Sequence, residues 1–311
     1  MGIKQKLQKD ISNQKTLHQK NNDECYTPYS AIEKEVSIWG KNGFLKNKSI
    51  ICPCDWNPNN NFAKYLNEKK EEFGIKSITV SGYNPKTGKG IKFQDVDYSQ
   101  YDICITNPPF SLMDEFVKCL LGNDYNDKKC DFIFLSAFMN RVAPNIGLPL
   151  MLGKLYLGYN RDKHHEFNNF IDDSDIPQKK IVACDWIVSW PDAQNEVNEN
   201  AEKLPNISYE EYKDDFLVYD RITMKDGTHP IRVTGNDFPE DYDGWMLGPV
   251  NLFDRKLDTR KYEWYGTSFQ KYFNTDHPEL NPCAHKLSNQ MMFLNGRQTF
   301  NGILFRKRKT F

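Results

Sequence analysis

Two consecutive prolines close an apolar run near the first third of this chain, and they restrict what the surrounding segment can become. Residues 101–106 read Tyr-Asp-Ile-Cys-Ile-Thr, a short apolar strand, and the next four are Asn107, Pro108, Pro109 and Phe110. Proline has no N–H to give a ladder and fixes its own φ, so the strand must stop there and leave along one stiff path. At average residue usage, an Asn-Pro-Pro-aromatic tetrapeptide arises by chance in roughly one chain of this length in several hundred. Its place at the carboxyl end of a strand makes an ordinary turn the weaker reading.

The rest of the first two thirds alternates strand and helix. Ser30 and Glu33 form a capping-box pattern ahead of Ile32, Val36 and Trp39 at helical spacing. Residues 48–52 read as a strand closed by Pro53-Cys54-Asp55, followed by a helix through Phe62, Ala63 and Leu66. Residues 77–80 form the next strand, and 82–90 a turn-rich loop. After the double proline, Leu112, Phe116 and Leu120 mark one helical stripe. Residues 132–135 are wholly apolar, as a strand buried on both faces must be, and 155–157 and 181–189 read as two more strands. Such alternation predicts a doubly wound α/β sheet, with ligands at the carboxyl ends of its strands. Beyond Trp190-Pro191 the pattern lapses. Residues 191–215 are acidic and Asn-rich and read as a linker or surface excursion, and the last third holds short aromatic strands.

Composition excludes several classes. No run approaches the roughly 20 apolar residues of a membrane span, and the lysine-rich first twenty residues lack the apolar block of a signal peptide. The eight cysteines include no Cys-x-x-Cys pair; Cys52, Cys104 and Cys184 fall in apolar runs, as reduced thiols of a cytoplasmic protein would. The net charge is −1, but it is unevenly placed. Residues 162–215 carry fourteen acids against five bases, and 254–311 eleven bases against five acids. A basic face for a polyanion fits this distribution, as does a solvated surface with local bias.

The tetrapeptide has a chemistry of its own. An exocyclic amine conjugated to a base ring is a poor nucleophile because its lone pair is delocalised. Two acceptors aimed at its N–H bonds favour a more pyramidal nitrogen and stabilise the charge that develops there. The Asn107 side-chain oxygen and the Pro108 carbonyl are such a pair, with Pro109 stiffening the corner and Phe110 offering a stacking face. A base so engaged must leave its duplex.

Asn107-Pro108-Pro109-Phe110 at a strand end resembles the catalytic motif of amino-group methyltransferases. Asp23-Glu24-Cys25-Tyr26-Thr27-Pro28 resembles their N-terminal Tyr-Thr-Pro cofactor motif. Cys54-Asp55 followed by Asn61-Phe62 is similar to the EcoRI-type branch of adenine-specific DNA methyltransferases. So, further on, are Asp241-Tyr242-Asp243-Gly244, Gly248-Pro249-Val250, Tyr262-Glu263-Trp264-Tyr265-Gly266, and the end from Asn295-Gly296-Arg297 to Phe305-Arg306. The resemblance implies a Rossmann-like class I methyltransferase sheet with a smaller C-terminal target-recognition region. The expected division is a basic N-terminal segment (1–22), a catalytic domain (23–190) and a DNA-reading region (191–311). It implies S-adenosyl-L-methionine as cofactor, contacted by Tyr26, Thr27, Pro28, Asp55, Asp95 and Asn107. Double-stranded DNA is the implied partner, a cognate restriction endonuclease a further one, and a monomer the implied state. No metal is expected. The chain departs from most methyltransferases in two places. Pro53 to Asn57 replaces the glycine-rich loop, and Ser81-Gly82-Tyr83 lacks the usual ribose-binding acid, so the ribose partner stays open. Asp97 is the alternative to Asp95 near the cofactor adenine.

Other features are set aside. His164-His165-Glu166 lacks a spaced fourth ligand and reads as a surface loop rather than a metal site. The loop Lys86-Thr87-Gly88-Lys89-Gly90 lacks the full spacing of a phosphate-binding loop. Arg306-Lys307-Arg308-Lys309 reads equally as a phosphate contact or a solvated tail. Acceptors other than adenine N6 remain open on the tetrapeptide alone: cytosine N4, guanine N2 in RNA or a protein glutamine. So does a non-catalytic nucleic-acid-binding relic.

Overall fold

A computed structural model describes residues 25–55, 60–84, 87–161, 164–169, 178–201, 207–220, 222–234, 238–254, 257–266, 293–294, 297–298 and 302–309. The 1–22 segment, Asp23, Glu24 and Lys86 therefore lie outside the described residues. The chain divides into two compact units, interleaved in sequence. One comprises Met1–Met113, Phe134–Ser136 and Asp162–Cys184, and the other Asp114–Ile133, Ala137–Arg161 and Asp185–Phe311.

The first unit is built on a mixed sheet. In chain order the strands are β1 (Cys25–Tyr26), β2 (Ser49–Cys52), β3 (Ser77–Val80), the hairpin β4 (Tyr83–Asn84) and β5 (Lys89–Gly90), β6 (Ile103–Thr106), β7 (Asp131–Ala137), β8 (Tyr156–Leu157), β9 (His164–Asn169) and β10 (Gln178–Val188). The sheet runs β1-β9-β10-β7-β6-β2-β3. β2 lies between β3 and β6 and is parallel to both, whereas β9 is antiparallel to β1 and β10. Ile50, Ile51, Ile103, Cys104, Ile105 and Phe134 are buried. This is the apolar continuity that a parallel sheet covered on both faces requires, and it makes the first unit an α/β Rossmann-like fold.

Helix α1 (Tyr29–Lys41) buries Ala31, Ile32, Val36 and Trp39 along one face, as their spacing predicts. Glu35 is buried on the same face, where its carboxylate accepts a 2.7 Å bond from Trp39 Nε1. Gly40 is required here, because a Cβ would stand 2.6 Å from the Phe73 ring. The capping box does not form. Pro28, at φ −60° and ψ 142°, is the N-cap residue, and no side chain caps the helix. Its carbonyl accepts from the Ala31 and Ile32 N–H groups, so the helix starts two residues too early for Ser30 to act as the cap. Helix α2 (Asn61–Glu68) is capped by Asn60, whose side chain accepts from Ala63 N at 2.8 Å.

Two further expectations are corrected. Within the expected 82–90 loop, residues 83–84 and 89–90 pair as a hairpin. Its last residue must be glycine, because Gly90 sits at φ +105° and an added Cβ would meet the Gly82 oxygen at 2.0 Å. The 164–166 segment is also not a loop but part of β9, paired with residues 181–183 of β10. Its polar sequence lacks period-2 alternation, and the neighbouring strand dictates the pairing.

The second unit contains the ends of β7 and β10, with β8 antiparallel to β10. Helix α3 (Lys70–Phe73) belongs to the first unit, and α4 (Met113–Leu121) begins just after Leu112. The buried stripe of α4 is therefore Met113, Phe116, Val117, Leu120 and Leu121, while Leu112 closes the preceding 3-10 turn. Helix α5 (Pro144–Met151) follows, then α6 (Asp192–Ala201). The latter replaces the expected linker. Its buried Gln194 and Asn198 bond to each other, and Asn198 bonds to Thr259, so a polar helix face is buried with its hydrogen bonds made.

The C-terminal sheet runs β11 (Ile231–Arg232), β12 (Met246–Pro249), β14 (Gly302–Lys307), β13 (Tyr262–Gly266). Tyr219, Ile222, Met224, Trp245, Leu247 and Leu304 form one of its cores. Phe238, Tyr262 and Phe305 meet edge to face at 5.2–5.8 Å. Elsewhere in this unit Arg141 is fully buried, doubly bonded to Asp185 and bonded to Asp254 at 2.6 Å.

Candidate active site

Because β2, β3 and β6 are parallel, their carboxyl ends share one edge, and the chain folds over that edge in a defined way. Ser81 N donates to Cys52 O at 3.0 Å, and Asp55 N donates to Ser81 O at 2.9 Å. The Asp55 carboxylate in turn accepts a 3.2 Å bond from the Thr106 hydroxyl. The ends of β2, β3 and β6 are thus linked around Asp55, whose main chain is held by Ser81 and whose carboxyl is bonded by Thr106. Burial pushes that carboxyl up from its ordinary value to about 7, and the Thr106 bond pulls against the rise. Beside it, the buried Cys52 thiol is pushed well up, by burial first and then by Asp55 and Cys54.

Asn107 directly follows Thr106. Pro108 is buried, and Pro109 holds φ −58° and ψ 121° as the N-cap of the 3-10 turn Phe110–Leu112. Leu112 N closes that turn on Pro109 O at 3.0 Å. The tetrapeptide is therefore a stiff corner leaving the strand edge. Asn107 and Phe110 are each partly exposed on it.

The second candidate motif is fastened to the first unit by its backbone. Tyr26 pairs with Asn168 in the β1–β9 ladder. Thr27 is buried, and its carbonyl accepts from Asn61 Nδ2 at 2.8 Å, which ties the Tyr-Thr-Pro segment to the Asn-Phe start of α2. Thr27 Oγ1, Asn60 Nδ2 and Ser81 Oγ are buried and have no hydrogen-bond partner among the described residues. Each costs on the order of 1–3 kcal/mol while unsatisfied, a cost that a bound polar molecule would remove. These donors and acceptors, with the Asp55 carboxyl, fit a polar cofactor with amine, carboxylate and hydroxyl groups.

Asp95 is exposed and closes the 3-10 turn Phe93–Asp95, whose Phe93 is buried. The alternative, Asp97, is occupied locally, accepting from Ser99 N, Ser99 Oγ and Gln100 Nε2. Of the terminal basic run, Arg306 is paired with Glu263 and lies 4.3 Å over the Trp245 ring, and Lys307 reaches Asp243 at 3.3 Å. Arg308 bonds to the Thr259 carbonyl, and Lys309 is exposed. Among the described residues no group of three or more His, Cys, Asp or Glu side chains is placed to hold a metal ion. Nor is any helix there long and apolar enough to cross a membrane.

Sequence reasoning missed Thr106 and Ser81. The available signal for Thr106 was a single polar residue ending an otherwise apolar strand. Ser81 holds Asp55 through its main chain, and its side chain left no signal in the sequence.

The α/β sheet places a rigid Asn-Pro-Pro-Phe corner and the Thr106-bonded Asp55 carboxyl at one carboxyl edge, the arrangement that the resemblance to amino-group methyltransferases implies. A family model for the adenine-specific methyltransferase EcoRI matches residues 13–100. The type II methyltransferase M.EcoRI of Escherichia coli is 24% identical, covering 80% of this chain and 88% of that protein. M.MpnI of Mycoplasma pneumoniae is 32% identical over 122 residues, covering 32% of this chain and 37% of that protein. M.MgeORF184P of Mycoplasma genitalium is 21% identical, covering 93% and 96%. Over residues 13–100 the chain is thus similar to the EcoRI-type family of adenine-specific methyltransferases, and over most of its length to type II methyltransferases.

Proposed function

We propose that this chain is a site-specific DNA methyltransferase that methylates N6 of an adenine turned out of the duplex, with S-adenosyl-L-methionine as donor. The observation that carries the reading is the stiff Asn107–Phe110 corner, which begins one residue after the Thr106 hydroxyl bonded to Asp55. When bound, S-adenosyl-L-methionine supplies an activated methyl group. Tyr26, Thr27, Pro28, Asp55, Asp95 and Asn107 are the residues that would hold it. The unsatisfied Thr27 and Ser81 hydroxyls and Asn60 amide support a polar occupant nearby.

The chain's own part in the reaction is positioning and electrostatics. Asn107 Oδ1 and the Pro108 carbonyl each accept one N–H of the adenine amine, steering its lone pair out of conjugation. Because φ of both prolines is fixed, the Pro108 carbonyl reorganises little as charge develops, which is where such acceptors act most strongly. Phe110 stacks on the base and offsets part of the cost of unstacking it. Residues 191–311 read the DNA sequence, with Arg308 and Lys309 available to phosphates. We assign the protein to the cytoplasm, as a monomer that can pair with a cognate endonuclease.

The test is transfer of label from radiolabelled S-adenosyl-L-methionine to separate samples of unmethylated duplex DNA, total RNA and a protein extract. Label in DNA alone supports the reading. Label in RNA or protein keeps a methyltransferase and overturns its substrate, and no label anywhere, with no donor binding by calorimetry, overturns the activity.

A further inference from the structure

Thr106 is the last residue of β6 and is fully buried, behind three apolar positions, Ile103, Cys104 and Ile105. Its hydroxyl donates to Asp55 Oδ2 at 3.2 Å. The other restraint on Asp55 is on its main chain, through the bond to Ser81 O. That bond fixes where the residue sits and leaves its side-chain torsions free. Among the described hydrogen bonds, Thr106 is therefore what orients the carboxylate. The adjoining residue on the same strand end is Asn107.

We propose that Thr106 is a positioning residue: its hydroxyl fastens the Asp55 carboxylate to the strand end that presents Asn107, so one hydrogen bond sets both donor grip and amine alignment. The inference rests on the reading above that Asp55 faces the methyl donor. A methyl donor with a sulfonium and an ammonium group binds best to an ionised carboxylate. Burial works against that ionisation, and the Thr106 hydroxyl works for it. The titratable neighbours are Cys52 and Cys54; Asp55 and Cys54 both act on the Cys52 thiol, pushing it further up, while the Asp55 carboxyl itself answers to burial and the Thr106 bond. A positioning error near 1 Å at such a centre costs on the order of 10²-fold in rate, so the link affects turnover as well as affinity.

The test uses the full-length chain as Thr106→Val and Thr106→Ser. Binding of S-adenosylhomocysteine and of S-adenosyl-L-methionine is measured by calorimetry from pH 6 to 9. The Asp55 carboxyl is titrated by carbon NMR in the ligand-free protein, its signal identified by loss in Asp55→Asn. Losing one hydrogen bond to a charged group raises the carboxyl titration by about one pH unit. The valine form should thus bind S-adenosyl-L-methionine about fivefold more weakly near pH 7, approaching tenfold at pH 6, and recover towards pH 9. The serine form should follow the wild-type profile. Thr106→Ala removes the same hydroxyl and answers the question if the valine form does not fold. An Asp55 titration that is unmoved in the valine or alanine form overturns this inference while leaving the proposed function standing. Failure of the wild-type chain to bind any donor overturns the proposed function, and this inference with it.

Discussion

Replacing Asp55 with Asn is predicted to stabilise the donor-free protein at alkaline pH while abolishing donor binding. The carboxyl is pushed from 3.8 to about 7 by burial, so between those values the folded state holds a proton that the unfolded chain releases. A raised folded-state value contributes stability below about pH 4 that is lost as pH rises through about 7. Above that, the folded protein carries a poorly solvated anion. Three pH units correspond to about 4 kcal/mol, and allowing for partial solvent access brackets the cost at about 2–4 kcal/mol. Asparagine is neutral at every pH, nearly isosteric, and its Oδ1 can still accept the Thr106 hydroxyl, so the fold loses little else. Urea midpoints of both forms at pH 4.5, 6, 7.5 and 8.5 read this directly. The advantage of the variant should be small at pH 4.5, grow to pH 7.5 and then level off. Equal midpoints at pH 8.5, or a wild-type protein that gains on the variant as pH rises, would refute the placement of Asp55.

Other consequences are equally open to measurement. Arg141→Met leaves Asp185 and Asp254 buried without their cation and should destabilise the protein by roughly 3–5 kcal/mol; a thermal midpoint within a degree of wild type would exclude it. Phe110→Ala should cut methyl transfer to duplex DNA by roughly 10- to 100-fold through lost stacking, while calorimetric donor affinity stays near wild type and Phe110→Trp retains activity. Asn60→Ala removes the cap of α2 and should cost about 1 kcal/mol in denaturant unfolding; an unchanged midpoint would contradict that role.

Much of the Asn107–Phe110 corner was legible because proline writes its constraint into the sequence. Pro108 and Pro109 could only end a strand, and β6 does end there at Thr106. The strands β2, β6 and β7 were legible for a related reason, since apolar runs buried on both faces have few alternatives. What was not legible depended on partners distant in sequence. The 164–166 segment is polar, and only its pairing with 181–183 makes it a strand. Helix α6 buries amides rather than apolar residues, a choice sensible only once Thr259 is in place. Ser30 and Glu33 match a capping pattern, but Pro28 sets the helix start by its own geometry. The link from Thr106 to Asp55 spans 51 residues, and no local pattern announces a bond across that interval.

The most direct test of the central claim is nucleoside analysis of unmethylated duplex DNA after incubation with labelled S-adenosyl-L-methionine and either wild-type protein or Asn107→Ala. The account predicts label in N6-methyladenine with wild type and a loss of at least about 10²-fold in the variant, the scale for removing one pre-oriented acceptor. Label in N4-methylcytosine, or undiminished N6-methyladenine from the variant, would contradict it.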